Sequence, residues 1–190
     1  LYRDILSGLR DWQICASIDG TGRTGEYIRS GLNFDSWLEN IREGLAYIRH
    51  RRQIRLDFTL TTPGLFEIKA IQELAQSLQV DVLAKVVFSF SPDIIMSPLA
   101  LPKEILHPWI DEILDDSLPG LPENSPMRDI LAQLKTRPTF AEQWPDTYKD
   151  GLRKGKERIQ TLEKIRNDRY TFRDIMAQRP EALKWYDSIS

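Results

Sequence analysis

With 190 residues, 41% of them hydrophobic and 28% charged, the chain has the composition of a soluble globular protein. Its net charge of −2 argues against a general nucleic-acid or membrane-surface binder, because such proteins carry a basic excess. No apolar run reaches the roughly 18 residues of a membrane span. With one cysteine and two histidines, the chain alone can form neither a disulfide framework nor a Cys/His metal site, and we expect it in the cytoplasm.

Three short runs are predicted to be strands: residues 13–18, 54–61 and 82–90. Between them, apolar residues spaced three and four apart predict two amphipathic helices, at 34–48 and 68–78. This alternation indicates parallel β/α units joined by right-handed crossovers. Because the chain begins with residues typical of the second half of a helix, rather than with methionine, we expect a further part of the protein to precede it.

From about residue 92 the sequence becomes rich in proline, and from about residue 127 it is helical and highly charged. Thr171 and Asp174 form a predicted capping box, and Pro180 interrupts the last helical region. We therefore predict two domains: a β/α domain over residues 1–92, and a proline-rich, helical lobe over residues 93–190.

Polar and apolar residues alternate along each predicted strand. In the first strand, Cys15, Ser17 and Asp19 share one face. Because an unpaired buried polar group costs roughly 1–3 kcal/mol, such a face needs partners or water. A curved sheet whose polar side lines a ligand cavity would supply both. The alternative is a purely structural network of Arg55, Asp57 and Lys85.

The stretch Gly20, Gly22 and Gly25 has the G-x-G-x-x-G spacing of a dinucleotide-binding turn. Residues 30–33 (SGLN) should interrupt any helix after this turn, and the next convincing helix is predicted to begin only near Asp35 or Ser36. The following strand also lacks an acidic residue at its end. A nucleotide-dependent oxidoreductase is therefore only a third functional alternative for this chain.

Side chains at the end of the first strand suit a ligand that carries an amino acid and a nucleoside. Oxygens of Ser17 and Asp19 can bind ribose hydroxyls or an ammonium group, and the guanidinium of Arg29 can bind a carboxylate. Purely structural roles stay open for all three: a strand-end hydrogen bond for Ser17, a turn for Asp19, and a surface ion pair of Arg29 with Glu26.

Residues 14–45 resemble the fourth strand, loop and helix of radical S-adenosylmethionine (SAM) enzymes, in the branch with SPASM or Twitch extensions. The matching elements are Ser17-Ile18-Asp19-Gly20, Glu26-Tyr27, Ile28-Arg29-Ser30-Gly31, Phe34, Trp37 and Asn40-Ile41. The resemblance implies an α/β fold, the C-terminal half of a (β/α)6 partial TIM barrel with a mostly helical extension, whose lumen holds SAM. It also implies that Ser17 and Arg29 contact the methionine carboxylate or the ribose, that Asp19 supports the loop or a ligand hydroxyl, and that Ser89 and Ser91 lie near the adenine.

The resemblance further implies a [4Fe–4S] cluster, reduced by a donor such as a flavodoxin or ferredoxin, that cleaves SAM to a 5′-deoxyadenosyl radical. That radical would abstract hydrogen from a peptide or a small molecule. The chain lacks the C-x3-C-x2-C motif that holds the cluster, and Cys15 is predicted to be a small buried residue. We expect the cluster-binding half to precede this chain. The alternative is a cluster-free β/α binding or scaffold protein with a helical interaction lobe.

Overall fold

The computed structural model, which describes residues 1–88, 94–118, 121 and 125–190, contains a three-stranded parallel sheet. Strands β1 (Ile14–Ile18), β2 (Ile54–Leu60) and β3 (Asp81–Val86) lie in chain order, with β2 in the centre. The predicted strands and their parallel arrangement are confirmed, and the fold is α/β. The finer expectation of a partial TIM barrel stays a prediction, as do the domain boundaries.

Helices connect and surround the sheet. They are α1 Gly22–Ile28, α2 Phe34–Leu45, α3 Ile68–Leu78, α4 Lys103–Glu112, α5 Pro126–Thr136, α6 Phe140–Gln143, α7 Pro145–Arg166, α8 Phe172–Met176 and α9 Pro180–Ser188. Short 3-10 turns lie at Leu6–Gly8, Arg51–Gln53, Pro63–Glu67, Ile94–Met96 and Pro98–Ala100, and one π-helical turn follows α4 at Ile113–Ser117. Three of the C-terminal helices begin with a proline. Proline is tolerated at the first position of a helix because the N–H it lacks would have no intrahelical acceptor there.

The apolar faces of the strands form the centre of the core. Ile54, Leu56, Phe58 and Leu60 of β2 are fully buried, while the residues between them are half-buried. Helix α2 packs on β2 and helix α3 on β3, and both contribute buried aliphatic side chains. The burial of every second residue of β2 confirms the alternation predicted from the sequence.

Part of the polar face is satisfied by contacts within the chain. The Lys85 ammonium lies 2.8 Å from an oxygen of Asp57, which makes an internal ion pair. Arg55 does not join that pair, because its Nε donates to Cys15 Sγ at 3.4 Å. Cys15 is exposed, so its predicted burial is wrong: the residue lies on the polar side of an edge strand rather than under a helix.

The predicted interruption at residues 30–33 is confirmed, because α1 ends at Ile28 and α2 begins at Phe34. Helix α1 itself, a cap and a strand end differ from the prediction: no convincing helix is predicted before Asp35, yet α1 occupies Gly22–Ile28. Helix α2 is capped by Asn33, whose side chain accepts the Ser36 N–H at 2.8 Å, and not by Asp35 or Ser36. Strand β3 ends at Val86 rather than at residue 90; residues 89 and 90 lie outside the described part of the chain.

The C-terminal segment shares one apolar core with the β/α segment. The ring of Trp109 in α4 meets that of Phe66 edge-on, with centroids 4.5 Å apart. Helix α7 crosses the carboxyl ends of β1 and β2, where its Ile159 is buried. Among the described residues, no helix combines the length and the apolar character that crossing a membrane requires.

Candidate functional site

A cavity of about 480 Å³ lies at the carboxyl edge of the sheet, between the strand ends and helix α7. Its volume falls within the range of roughly 300–1,000 Å³ that is typical of small-molecule sites. Asp19 and Arg29 reach it from the end of β1 and from the end of α1, and Thr59 and Thr61 reach it from the end of β2. Ligands of open α/β sheets bind at this edge.

A larger cavity, of about 660 Å³, lies at the opposite edge, where α2 and α3 end. Its walls include Arg49, His50 and Gln79, and none of the site residues predicted from the sequence. We place the candidate site in the smaller cavity because the strand-end polar side chains converge there.

Asp19 and Arg29 form an ion pair at the wall of the site. Arg29 Nε lies 2.6 Å from Asp19 Oδ2, and Nη2 donates to Oδ1 at 3.3 Å. Asp19 is buried, whereas two fifths of the Arg29 side chain is exposed. The predicted alternative partner, Glu26, instead accepts the backbone N–H of Phe34 at 2.9 Å, so that alternative is wrong.

The other predicted residues lie elsewhere. Ser17 is half-buried on the polar face of β1, opposite Asp57 of β2, and does not line the cavity. Ser89 and Ser91 lie outside the described residues. The structure therefore brings together two of the five side chains that the sequence singled out.

The glycine-rich turn is closed by a carboxylate of the chain itself. Glu67 Oε2 accepts both the backbone N–H and the hydroxyl of Thr21, at 2.8 and 2.7 Å, just before α1 begins. A dinucleotide would place its pyrophosphate at such a helix start. The Gly25 backbone lies so close to that of Gly20 that a Cβ on Gly25 would stand 2.3 Å from the Gly20 carbonyl oxygen. These glycines serve loop packing, which argues against the dinucleotide alternative.

Helix α7 supplies site residues that the sequence analysis did not identify. Arg158, Leu162 and Arg166 line the cavity at intervals of four residues, so they share one face of the helix. This spacing was visible in the sequence. It did not show which face of the helix would meet the sheet.

A buried polar link holds α7 against α1. Tyr27 donates its hydroxyl to Glu163 Oε1 at 2.9 Å, and the same oxygen accepts the backbone N–H of Phe172 at 2.7 Å. Burial and then the Glu163 carboxylate raise the pKa of Tyr27 well above its ordinary value. Arg166 adds a second contact, since its Nη1 donates to the Tyr27 carbonyl at 3.3 Å.

The two cofactors implied by the resemblance fit this chain differently. Within the described ranges, no three His, Cys, Asp or Glu side chains are grouped so as to hold a metal ion, and Cys15 is the only cysteine in the sequence. A [4Fe–4S] cluster therefore does not fit. The donors and acceptors around the cavity do suit SAM, because a guanidinium, a carboxylate and two hydroxyls can meet its amino-acid and ribose groups.

A scan against protein-family models and searches of curated proteins and of solved structures each found no match to the chain.

Proposed function

We propose that this chain forms one wall of the SAM-binding site of a radical SAM enzyme. The observation that carries the proposal is the Asp19–Arg29 ion pair at a cavity on the carboxyl edge of a parallel sheet. SAM carries an ammonium and a carboxylate on one carbon atom. A carboxylate and a guanidinium held side by side complement such a zwitterion.

The hydrogen-bonding capacity of these groups supports the proposal. Arg29 has five N–H donors, and two of its nitrogens, Nε and Nη2, face the Asp19 carboxylate. The remaining donors can bind the methionine carboxylate. Thr61 Oγ1 accepts the Gly64 N–H at 3.0 Å and so can still donate to a ribose oxygen. Ile28 and Met96 offer an apolar surface for the adenine.

In this proposal the chain binds SAM and takes no part in electron transfer. In the family, a reduced cluster beside SAM supplies the radical chemistry. Its three thiolates would have to come from polypeptide outside these 190 residues, so we derive no step through it. The electron donor and the peptide or small-molecule substrate belong to the proposed complete enzyme.

Isothermal titration of the chain with SAM tests the proposal. We expect saturable binding with a dissociation constant at or below about 1 mM, equivalent to roughly −4 kcal/mol. Arg29→Gln and Asp19→Asn should each weaken it at least about tenfold, or about 1.4 kcal/mol. The control is Asp187→Asn, which breaks an exposed ion pair with Arg173 and should leave the affinity unchanged. Failure to saturate, or equal affinities in all variants, would refute the proposal.

The cluster-free binding or scaffold protein stays a second candidate, because part of the polar face is satisfied internally by the Lys85–Asp57 pair. The coding sequence upstream of Leu1 separates the two. The enzyme requires a C-x3-C-x2-C motif about 80–120 residues earlier, the length of three β/α units of roughly 30 residues. An open reading frame that begins without this motif would favour the scaffold.

A further inference from the structure

Four arginines gather at the amino edge of the sheet, opposite the proposed SAM site. Arg49, Arg51, Arg52 and Arg55 line two neighbouring cavities, of about 660 and 560 Å³, and Arg51 lies in the wall of both. We call these four residues the basic cluster. Among the described residues that line the two cavities, Asp81 is the only acidic one. This edge is therefore locally cationic in a chain whose net charge is −2.

The contacts of the basic cluster leave most of its charge without a counter-charge. Arg51 Nη2 lies 3.0 Å from Asp81 Oδ1, in an exposed ion pair. Arg49 donates to a backbone carbonyl at 3.1 Å, and Arg55 donates to a thiol sulfur at 3.4 Å, so both have uncharged acceptors. The guanidinium of Arg52 makes no hydrogen bond or ion pair with a described residue. One carboxylate thus accompanies four guanidinium groups.

Helices α2 and α3 end at the larger cavity, and their partial negative charge reduces this excess. The end of a helix carries about half a negative charge, so the two ends together offset about one guanidinium group. Backbone N–H groups already bond to the terminal carbonyls: that of Ala46 donates to Glu43 at 3.1 Å, and that of Val80 donates to Ala75 at 3.0 Å. About two positive charges remain, which matches a phosphate monoester slightly above neutral pH.

The backbone that carries the basic cluster is fixed from inside the protein. Gln53 is fully buried, and its Oε1 accepts the backbone N–H groups of Arg49 and His50, at 2.5 and 3.3 Å. From the other side, Gln13 Nε2 donates to the carbonyl of Arg52 at 2.8 Å. A turn held in this way loses little backbone entropy when its side chains bind an anion.

The larger cavity also has room for the rest of a ligand. Its walls add two amides, Gln76 and Gln79, and three apolar side chains, Leu45, Ile48 and Leu78. Its volume lies within the range of roughly 300–1,000 Å³ that is typical of small-molecule sites. A cationic rim beside an apolar wall suits a molecule that has an anionic group on an apolar body.

We infer that the amino edge of the sheet is a second binding site, for a small molecule that carries a phosphate monoester on an apolar body. The phosphate binds at the basic cluster, because guanidinium groups pair with phosphate through forked, charge-assisted hydrogen bonds. The apolar body occupies the larger cavity. This inference does not depend on the proposed function, since the two sites lie at opposite edges of the sheet.

The test titrates a chain labelled with 13C at the isoleucine methyls with benzyl phosphate, inorganic phosphate and benzyl alcohol. Ile48 lines the larger cavity, whereas Ile28 and Ile159 line the proposed SAM site. We expect benzyl phosphate to shift the Ile48 signal saturably and to leave the other two in place. Its affinity should exceed that of inorganic phosphate and that of benzyl alcohol by at least about fivefold.

Variants of the basic cluster separate a built site from general attraction. Arg49→Gln and Arg51→Gln should each lower the affinity for benzyl phosphate by at least about fivefold, and Arg51→Lys should bind better than Arg51→Gln. The control is Arg42→Gln, which removes the same charge from an exposed position of α2 outside both cavities and should change the affinity by less than about twofold. Both arginines tested are exposed, so unchanged melting temperatures should show that the variants fold.

Several results would overturn the inference. Benzyl alcohol that binds as tightly as benzyl phosphate would exclude recognition of the phosphate, and equally tight inorganic phosphate would exclude the apolar body. A loss in Arg42→Gln as large as those in the cluster would leave only general attraction. Phosphatidylcholine vesicles with and without phosphatidic acid test a lipid headgroup as the source of the phosphate. We expect no co-sedimentation with either, and co-sedimentation only with the phosphatidic acid vesicles would overturn the small-molecule assignment.

Discussion

The buried link between Tyr27 and Glu163 should hold α7 over the candidate site, and a double-mutant cycle can measure its strength. Tyr27→Phe removes a hydroxyl that donates at 2.9 Å to a buried carboxylate, while Glu163 keeps its bond from the Phe172 N–H. A hydrogen bond to a charged group contributes about 1.5–3 kcal/mol, so we expect a loss of that size in the free energy of unfolding. For a chain of this length the loss corresponds to a fall in Tm of about 3–12 °C.

Glu163→Met should cost more, because it leaves two donors, the Tyr27 hydroxyl and the Phe172 N–H, without their acceptor. Urea unfolding of the wild type, both single variants and the double variant gives the coupling energy between the two side chains. We expect about 1.5–3 kcal/mol. The exposed pair Arg173–Asp187 serves as the control cycle, with an expected coupling of about 0.2–1 kcal/mol. A Tyr27–Glu163 coupling no larger than that of the control would show that this link does not fix α7.

Three further predictions concern stability. Gly25→Ala should destabilise the protein by about 1–3 kcal/mol in urea unfolding, because its Cβ would stand 2.3 Å from the Gly20 carbonyl oxygen, while Gly8→Ala, with open space around it, should change little. Asn33→Ala should cost about 1 kcal/mol by removing the cap of α2, a loss that Asn33→Ser should largely restore. Because the pKa of Tyr27 is raised in the folded state, the wild type should lose stability above pH 10, as the unfolded chain releases the proton first. In Tyr27→Phe that loss should be shallower by up to about 1.4 kcal/mol per pH unit, and parallel curves would contradict the assignment.

The central strand shows what the sequence could predict. Every second residue of β2 from Ile54 to Leu60 is fully buried, as the alternation indicates, because the periodicity of a strand depends only on its own backbone. The parallel order followed from the helix-length segments between the strands. The capping box of α8 is also confirmed, since the Thr171 side chain accepts the Asp174 N–H and the Asp174 carboxylate accepts the Thr171 N–H.

The site could be predicted only in part, because tertiary contacts decide it. Asp19 and Arg29 were identified, but their mutual pairing depends on how the short helix α1 turns the chain back. That helix was missed because its glycines oppose helix formation. Their presence is explained by tertiary and backbone geometry: Gly25 packs against the Gly20 carbonyl, and Gly22 has a positive φ of 43°. Arg158 and Arg166 belong to the segment that the sequence shows only as helical and highly charged, and no local pattern shows where α7 docks.

The account depends most on where SAM binds, and isoleucine methyl groups report that position directly. Ile28 and Ile159 line the candidate site, whereas Ile48 lines the larger cavity at the opposite edge of the sheet. In a chain labelled with 13C at the isoleucine methyls, titration with S-adenosylhomocysteine should shift the signals of Ile28 and Ile159 and leave that of Ile48 in place. Shifts of Ile48 alone, or no shift of any of the three, would contradict a SAM site between Asp19, Arg29 and α7.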